Sequence, residues 1–299
     1  MAGTMQELSE AIEAVAAKVA PSVVGVGASG SGFVLAAGLV ATNAHNLRAG
    51  EDPIVTFADG ARRTSTVAGV DVAGDLAVLA LETPGVPAIA WSAAPAQLGQ
   101  LVIAFAHPGG RGVRVSLGNV AALDVGFTGP AGQRIGGAIE HTAPLRHGSS
   151  GGPVTDVAGR LLGINTSRQG EGFYRAITAD PALQRGLERL ARGERAVRPR
   201  LGVAVAPSGV ADRLRSAVGL PPREGLLVRA VEDGSPGARA GLREGDLIIS
   251  LAGQAVRSVD GLASLLEAAA TSDVVELDVV RGVEELVVIV DLAGVPDED

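Results

Sequence analysis

Residues Arg146 to Pro153 read RHGSSGGP and place two serines inside a glycine-rich segment. A serine hydroxyl is a poor nucleophile unless a base takes its proton, a third group orients that base, and donors stabilise the oxyanion. Histidine is the usual base, and the four histidines of the chain, His45, His107, His141 and His147, all precede Ser150. The candidate chemistry is therefore acyl transfer at a serine whose base comes earlier in the chain.

The order of these residues separates two classes of serine hydrolase. GSSGG matches the G-x-S-x-G elbow of α/β-hydrolases, but that elbow opens a helix and its histidine follows the serine. Here Pro153 and a strand-like VTD follow the serine, and no histidine comes after His147. Another established order for a full triad, compatible with an early histidine, is His…Asp…Ser.

Two segments supply the other members of such a triad. His45 lies in the segment VATNAHNL, at the end of an apolar strand, and Asp75 directly precedes the apolar run LAVLAL. A carboxylate at the mouth of a buried strand needs a donor, and a histidine Nδ1–H is a suitable one. The predicted triad is His45, Asp75 and Ser150. His147 lies too close to Ser150 along the loop to reach its hydroxyl easily, so we interpret it as a loop residue.

Composition limits the class of protein. The chain has 299 residues with 46% hydrophobic content, which favours two domains. It has no cysteine, which excludes disulfides and cysteine zinc sites. Its net charge is −8 and only 2% of residues are aromatic, so nucleic acid is not expected as a partner. The charge excess lies in residues 200–299, which hold 9 basic and 17 acidic residues and indicate a boundary near 200.

Hydrophobic periodicity predicts the order of elements. Helical spacing at the start gives way to short valine-rich strands about every 8–14 residues, typical of an all-β barrel or sandwich. Neither a signal peptide nor a membrane span is expected. The predicted divisions are an N-terminal helix (1–20), a β domain (21–180), a helix and linker (181–199), a small α+β domain (200–294) and an acidic tail (295–299).

Five motifs occur in order along the chain, namely SGSGFVL, ATNAH, GDLAVL, GSSGGP and GINTS. Through these motifs the chain resembles the HtrA (DegP/DegS-like) serine protease family. The resemblance continues through FYRAI, a helix, RLGV and GSPGARAGLREGDLIISLAGQAV, which is similar to the middle of a PDZ domain. It implies a mainly β fold, in which a chymotrypsin-like double β-barrel protease domain precedes a small α+β PDZ domain.

The resemblance implies a role for each triad member. Ser150 would attack the scissile carbonyl, His45 would act as general base and then general acid, and Asp75 would fix the imidazole tautomer. The N–H groups of Gly148 and Ser150, with Ser149 as a further candidate, would form the oxyanion hole. Two positions depart from the usual pattern: Ser149 stands where asparagine is commoner, and Asn46 stands where an aliphatic residue usually follows the histidine.

Residues flanking the serine are expected to form the substrate pocket, with Leu145, Ile164, Asn165 and Thr166 as its walls. No acidic residue lies in these flanks, so we expect small or medium aliphatic P1 residues and broad cleavage, because apolar pockets discriminate by only about 1–3 kcal/mol. The loops at 143–148 and 166–172 are expected to regulate activity. One flipped peptide before Gly148 would cost about 3–4 kcal/mol of transition-state stabilisation.

The PDZ-like region is expected to bind peptide C-termini by β-augmentation. A strand edge and the facing side of a helix would form its groove. The leucine at 265 fits a groove wall and a plain core position equally well. The groove residues are predicted as Leu201, Gly202, Val203, Ala204, Val205, Leu262, Leu265 and Leu266.

The expected function is that of an ATP-independent serine endopeptidase acting on misfolded or exposed polypeptide, without metal or cofactor. The alternative is a non-proteolytic, peptide-binding chaperone or scaffold with an idle triad. GVGASG at 25–30, with Glu51 further on, also matches a dinucleotide-binding fingerprint, but the required helix is not predicted after it. The family resemblance suggests an envelope, periplasmic or extracellular location, and a homotrimer as a weaker inference.

Overall fold

The computed structural model describes residues 2–129, 134–169, 172–194, 200–269 and 274–292. The chain divides into two compact units, Met1–Ala196 and Val197–Asp299. The linker predicted after the second helix lies mostly outside the described residues, and the predicted acidic tail lies wholly outside them. Among the helices of the described residues, none combines the length and apolarity needed to cross a membrane.

The first unit opens with helix α1 (Ala2–Val19), whose Val15 and Val19 are buried in the core of the unit. A seven-stranded antiparallel sheet follows, with strand order β5-β4-β1-β2-β3-β7-β6. Its strands are β1 (Val23–Val26), β2 (Gly30–Ala36), β3 (Leu39–Thr42), β4 (Ile54–Thr56), β5 (Arg62–Thr64), β6 (Thr66–Asp71) and β7 (Leu76–Ala80).

The segment GVGASG forms the hairpin between β1 and β2. Gly25 pairs with Ser31 and Val26 pairs with Gly30, so the chain turns back as a strand after the last glycine. A dinucleotide fingerprint requires a helix at that point, with its N-terminus facing the pyrophosphate. The nucleotide-binding interpretation is therefore wrong.

The second sheet of the first unit closes into a barrel with strand order β10-β13-β12-β11-β8-β9. The loop that carries Ser150 joins β10 to β11, and β11 pairs with both β8 and β12. The strands are β8 (Leu101–Ala106), β9 (Arg114–Thr128), β10 (Arg134–His141), β11 (Pro153–Thr155), β12 (Leu161–Gln169) and β13 (Phe173–Thr178).

Helix α2 (Pro181–Ala191) follows the barrel. The Asp180 side chain accepts a hydrogen bond from the Leu183 N–H at 2.7 Å, and Pro181 occupies the first turn, which is a favourable helix start. Its leucines at 183, 187 and 190 are buried, because their spacing puts them on one face. A Cβ on Gly69 of β6 would lie 2.4 Å from the Leu190 carbonyl oxygen, so the helix packs directly on the first sheet.

The second unit is an α+β fold around a sheet of order β14-β15-β16-β18-β19, with β17 paired to β16. The expectation of a mainly β chain with a smaller α+β region is confirmed. The strands are β14 (Val203–Ala206), β15 (Leu226–Val231), β16 (Asp246–Leu251), β17 (Gln254–Ala255), β18 (Val274–Arg281) and β19 (Glu284–Asp291). The helices are α3 (Ser208–Ala217), α4 (Pro236–Arg239) and α5 (Val259–Ala268).

Candidate active site

Two neighbouring strands bring His45 and Asp75 together. His45 lies in the single turn Ala44–Asn46 after β3, and Asp75 immediately precedes β7. The strands pair with Thr42 opposite Ala77, so both residues lie at the same end of the sheet. His45 Nδ1 lies 2.8 Å from Asp75 Oδ1 and 2.9 Å from Oδ2. This is the contact that the sequence predicted for these two side chains.

The Asp75 carboxylate is buried and has further donors. The backbone N–H of His45 donates to Oδ1 at 3.1 Å, and the Thr166 hydroxyl donates to Oδ2 at 2.7 Å. The Asn43 side chain donates to the Asp75 carbonyl at 2.7 Å. An ionised carboxylate only accepts hydrogen bonds, so Nδ1 of His45 carries the proton and Nε2 keeps its lone pair. That tautomer can accept a proton at Nε2.

A tight turn presents Ser150. The Arg146 carbonyl accepts from the Ser149 N–H at 3.2 Å, and Gly148 between them has φ +90°, as in a type II turn. That φ value favours glycine, and a Cβ on Gly148 would also lie 2.1 Å from the Ser29 carbonyl oxygen. The glycine at 148 is therefore required for both conformation and space.

The Ser150 hydroxyl donates to the Thr166 carbonyl oxygen at 2.9 Å. Among the described residues no hydrogen bond joins Ser150 Oγ to His45, although both side chains line one cavity. Thr166 therefore contacts two members of the predicted triad, through its hydroxyl to Asp75 and through its carbonyl to Ser150. The hydroxyl of Ser150 has a single proton, so it must release the Thr166 carbonyl before it can donate to His45.

The predicted oxyanion donors differ in their availability. The Ser149 N–H closes the turn by donating to Arg146, so it is not free to bind an oxyanion. The N–H groups of Gly148 and Ser150 have no hydrogen-bond acceptor among the described residues. The Gly148 carbonyl is fixed by the Ser31 hydroxyl at 2.7 Å. The N–H groups of Gly148 and Ser150 are therefore available to bind an oxyanion, whereas that of Ser149 is not.

A cavity of about 700 Å³ lies beside Ser150. Three of the four residues predicted for the substrate pocket line it, namely Leu145, Asn165 and Thr166. The fourth, Ile164, is fully buried in the core and does not line the cavity, so the structure does not support that prediction. Arg146 and His147, from the segment TAPLRHG that is expected to form one wall, also line the cavity. Ser29, Asn46 and Tyr174 line it as well, and the sequence did not assign them there.

An irregularity in strand β12 explains why Asn165 and Thr166 line the cavity whereas Ile164 does not. Side chains alternate between the two faces of a strand, so Ile164 and Asn165 point to opposite sides of β12. The register of β12 against β13 shifts between Asn165 and Ser167, as at a bulge. A bulge lets consecutive residues face the same side. Asn165 and Thr166 therefore both reach the cavity, and no feature of the sequence GINTS indicates this.

Behind Asn165 lies a buried histidine. His141 Nε2 and the Asn165 side-chain oxygen are 2.9 Å apart, and the His141 ring stacks on Tyr174 with centroids 5.9 Å apart. Burial lowers the pKa of His141 to about 4, because the charged imidazolium would lose its hydration. Its Nδ1 has no hydrogen-bond partner in the part of the chain that the structure describes. His141 is therefore a neutral residue supporting the cavity wall.

The second unit has its own apolar groove of about 640 Å³. Strand β14 ends the sheet order and forms one side, and α5 contributes Leu262, Ala263 and Leu266 to the other. Leu265 packs partly buried against the core and does not line the groove. Residues 201 to 205 all line it, as predicted from the sequence. Arg200 lies at the groove and pairs with Glu232 at 3.4 Å.

Comparison with protein families assigns each unit. Residues 30–164 match the family described as "Trypsin-like peptidase domain", and residues 227–281 match "PDZ domain". The first range contains His45, Asp75 and Ser150, and the second contains the groove helix α5. Both assignments agree with the observed folds, and the expected fold class is confirmed.

Individual proteins give the same result. "Putative serine protease HhoA" of Synechocystis sp. is 31% identical over 86% of this chain and 68% of its own length. "Probable periplasmic serine endoprotease DegP-like" of Pseudomonas fluorescens is 30% identical over 90% of this chain, which spans 57% of that relative. The solved structure "HtrA-type protease AlgW with tripeptide" is 26% identical, with a TM-score of 0.78 over 95% of this chain and 97% of that one. The chain spans between just over half and about two thirds of these curated relatives, and it belongs to the HtrA family of DegP-like serine proteases.

Proposed function

We propose that the protein is an ATP-independent serine endopeptidase that hydrolyses exposed or misfolded polypeptides. The observation that carries the proposal is the hydrogen-bonded set of His45, Asp75, Thr166 and Ser150, which converges at one cavity. A base oriented by a carboxylate, with a serine presented at the same cavity, is the arrangement that nucleophilic acyl transfer requires. Family membership supports the same chemistry.

Acylation follows from the protonation states of these groups. His45 Nε2 takes the hydroxyl proton of Ser150 while Oγ bonds to the scissile carbonyl carbon and the carbonyl electron pair moves to oxygen. The N–H groups of Gly148 and Ser150 stabilise that oxyanion. The carbon–nitrogen bond then breaks, and the imidazolium gives its proton to the leaving amine. Water, activated by the same imidazole, hydrolyses the acyl-enzyme and regenerates Ser150.

The substrate must displace the hydrogen bond between Ser150 and the Thr166 carbonyl. A net hydrogen bond of this kind contributes about 0.5–1.5 kcal/mol, which is a small part of the binding free energy of a peptide. Rotation of the Ser150 side chain to His45 is therefore within reach of substrate binding. The ordering of the 143–148 loop is proposed as a second level of regulation, because Gly148 donates in only one orientation of its preceding peptide.

Selectivity for aliphatic P1 residues is proposed from the cavity wall. Leu145 supplies an apolar surface, and no carboxylate lines the cavity among the described residues. A Lys or Arg side chain would lose its hydration there without an ion-pair partner. Cleavage of a peptide library should occur after Val, Ala or Leu, and dominant cleavage after Lys or Arg would contradict this proposal.

The groove of the second unit is proposed to bind peptide C-termini. The edge of β14 is available to pair with an extended peptide, and the apolar wall of α5 can accept its side chains. A related solved structure is described as an HtrA-type protease with a tripeptide. Titration of fluorescent peptides, with a free carboxylate or with a C-terminal amide, tests whether the terminus is recognised.

A serine-directed fluorophosphonate distinguishes the protease from the alternative of a chaperone or scaffold with an idle triad. Wild-type protein should be labelled, and Ser150→Ala should not be labelled. A partly exposed serine outside the cavity provides the control: Ser92 donates to the Ala94 carbonyl, and Ser92→Ala should label normally. Folded wild-type protein that binds peptides but resists the reagent would support the alternative.

Location and assembly are further proposals. The curated relative from Pseudomonas fluorescens is named as periplasmic, which supports an extracytoplasmic site of action for this chain. A homotrimer is proposed from family membership alone. Light scattering of the purified protein should give three times the chain mass, and a monomer mass would contradict this proposal.

A further inference from the structure

Asn46, the residue after His45, joins three segments of the first unit through one side-chain amide. Its Nδ2 donates to the Ser150 carbonyl oxygen at 2.9 Å and to the Thr42 hydroxyl oxygen at 2.9 Å. A third, longer contact at 3.4 Å reaches the Ser31 carbonyl oxygen. The amide therefore links the turn that carries His45 to the backbone of Ser150, 104 residues further along the chain.

The surrounding backbone leaves a slot for this amide. A Cβ on Gly30 would lie 2.5 Å from Asn46 Cγ, and a Cβ on Gly151 would lie 3.0 Å from Asn46 Nδ2. Real Cβ atoms do not approach other atoms as closely as 2.5 Å, so a side chain on Gly30 would force the amide to move. The close approach of Asn46 to β2 thus depends on the absence of a side chain at Gly30.

The hydrogen bonds of Asn46 are not needed to satisfy the buried acceptors around it. The Ser150 carbonyl also accepts from the Ser31 N–H at 3.0 Å, and the Ser31 carbonyl also accepts from the Thr42 hydroxyl at 2.7 Å. Removing the amide therefore leaves each of these carbonyl oxygens with a donor, which keeps the cost to folding small. The particular contribution of Asn46 is the link itself.

Asp75 and Asn46 connect the turn that carries His45 to different parts of the site. Asp75 holds the ring Nδ1 and the backbone N–H of His45. Among the described residues, the Asn46 bond to Ser150 is the one hydrogen bond between the turn Ala44–Asn46 and the serine. Thr166 connects Asp75 to Ser150, and Asn46 adds a direct connection between the turn that carries His45 and the backbone of Ser150.

We propose that Asn46 is a positioning residue that holds the His45 imidazole in register with Ser150. The proposal rests on the proposed serine-protease function and adds a determinant of its rate. A displacement of about 1 Å in a reacting group can cost 10²-fold in rate. Loss of the link should therefore lower kcat and the rate of fluorophosphonate labelling by a larger factor than it raises KM, because positioning acts on the chemical step, while Asn46 also forms part of the cavity wall.

The first experiment compares Asn46→Leu, Asn46→Ala, Gly30→Ala and the double variant Asn46→Ala with Gly30→Ala. Leucine keeps the branched shape of asparagine and loses its donors. We expect each single variant to lower kcat and the labelling rate about 10- to 100-fold. Gly30→Ala should act by displacing the amide, so it should have no further effect once Asn46 is alanine. Asn119→Leu is the control. Asn119 does not line the cavity, and its side chain donates to the Gly99 carbonyl at a distance of 3.0 Å.

Wild-type labelling rates in Asn46→Leu, or a Gly30→Ala effect that persists undiminished beside Asn46→Ala, would overturn the proposal. A thermal melting temperature lowered in Asn46→Leu but not in Asn119→Leu would also overturn it, because it would show a structural role. A second measurement is independent of activity: NMR relaxation of isotope-labelled histidine rings should show a more mobile His45 ring in Asn46→Ala. Unchanged ring order would refute positioning, whereas failure of the wild type to label would refute the protease function alone.

Discussion

The cavity beside Ser150 and the groove of the second unit have similar volumes, about 700 and 640 Å³, but their walls are built from different groups. The cavity wall carries hydroxyls, side-chain amides, His45 and His147. The groove wall is apolar apart from Arg200 and Glu232, which pair with each other. Side chains of the cavity wall can transfer protons, whereas the groove wall can desolvate an apolar peptide chain. We therefore assign the reaction to the first unit and peptide recognition to the second.

The two sites also differ in how they are assembled. Hydrogen bonds at the cavity join residues far apart in the chain, such as Thr166 to Asp75 across 91 positions. The groove is formed mainly by one strand and one helix. Groups that share a hydrogen-bond network respond to mutation non-additively, whereas independent apolar contacts respond more nearly additively. Substitutions at the cavity should therefore interact, and those in the groove should sum.

The largest expected effect is that of Ser150→Ala, which separates the two sites completely. Peptide hydrolysis should fall about 10⁴- to 10⁶-fold, because the nucleophile is removed and only binding and oxyanion stabilisation remain. Affinity for a C-terminal peptide, measured by fluorescence anisotropy on the same sample, should not change. Residual hydrolysis near the wild-type rate would place the nucleophile elsewhere and would remove the distinction between the two walls.

Asp75→Asn tests whether the cavity depends on its buried carboxylate. We expect a fall in kcat of about 10⁴-fold, because an amide does not hold His45 with its proton on Nδ1. Steady-state hydrolysis of a peptide substrate measures the loss. Asp59→Asn is the matched control, since Asp59 accepts a backbone N–H at 2.9 Å in an exposed turn. Activity of the Asp75 variant within tenfold of wild type would show that another group orients His45.

Ala263→Asp should weaken peptide binding by the second unit about 10-fold or more. Ala263 is exposed and lines the groove, so a new carboxylate there would need to be desolvated beside an apolar peptide. Hydrolysis of a short substrate at the cavity should not change. Ala255→Asp, on exposed strand β17 outside the groove wall, is the control for added charge. Equal affinities of the two variants would contradict the assignment of the groove.

The sequence predicts the pairing partners at the cavity better than their conformations. The order of His45, Asp75 and Ser150 with their flanking strands predicts one cluster, and the structure brings the first two within 2.8 Å. The bond from Ser150 to the Thr166 carbonyl depends on one side-chain rotation. Neither spacing nor residue type reports that rotation, because it is decided by contacts made only after the sheet has formed.

In the second unit, too, some features of the structure are not predicted by the sequence. Helix α3 is not predicted from the sequence, and its buried residues are Ala211 and Arg215, whereas the larger apolar residue Leu214 is exposed. The guanidinium donates to the carbonyls of Pro221 and Gly282, the latter 67 positions further along the chain. A buried arginine resembles a surface residue in the sequence pattern. Leu265 was assigned to the groove although it lies one position before Leu266, which rotates it about 100° around the helix.

The smallest expected effect concerns the dependence of stability on pH, and it also separates the two units. All four histidines precede residue 200, so between pH 4 and 6.5 histidine titration affects the first unit alone. Burial lowers the pKa of His141 to about 4, and burial also lowers the pKa of His107. The unfolded chain therefore binds more protons in this range, and stability falls as the pH decreases from 6.5 towards 4. His141 contributes at most about 1.4 kcal/mol per pH unit.

His141→Gln should flatten this dependence, because glutamine can still approach the Asn165 amide but does not titrate. Urea denaturation of the first unit at several pH values between 4 and 7 measures the slope. His147→Gln is the control, since His147 is exposed and its removal should leave the slope unchanged. Because His107 remains in both variants, the slope in His141→Gln should be reduced and not abolished. Parallel curves for wild type and His141→Gln would show that the buried imidazole is not the group whose protonation destabilises the cavity wall.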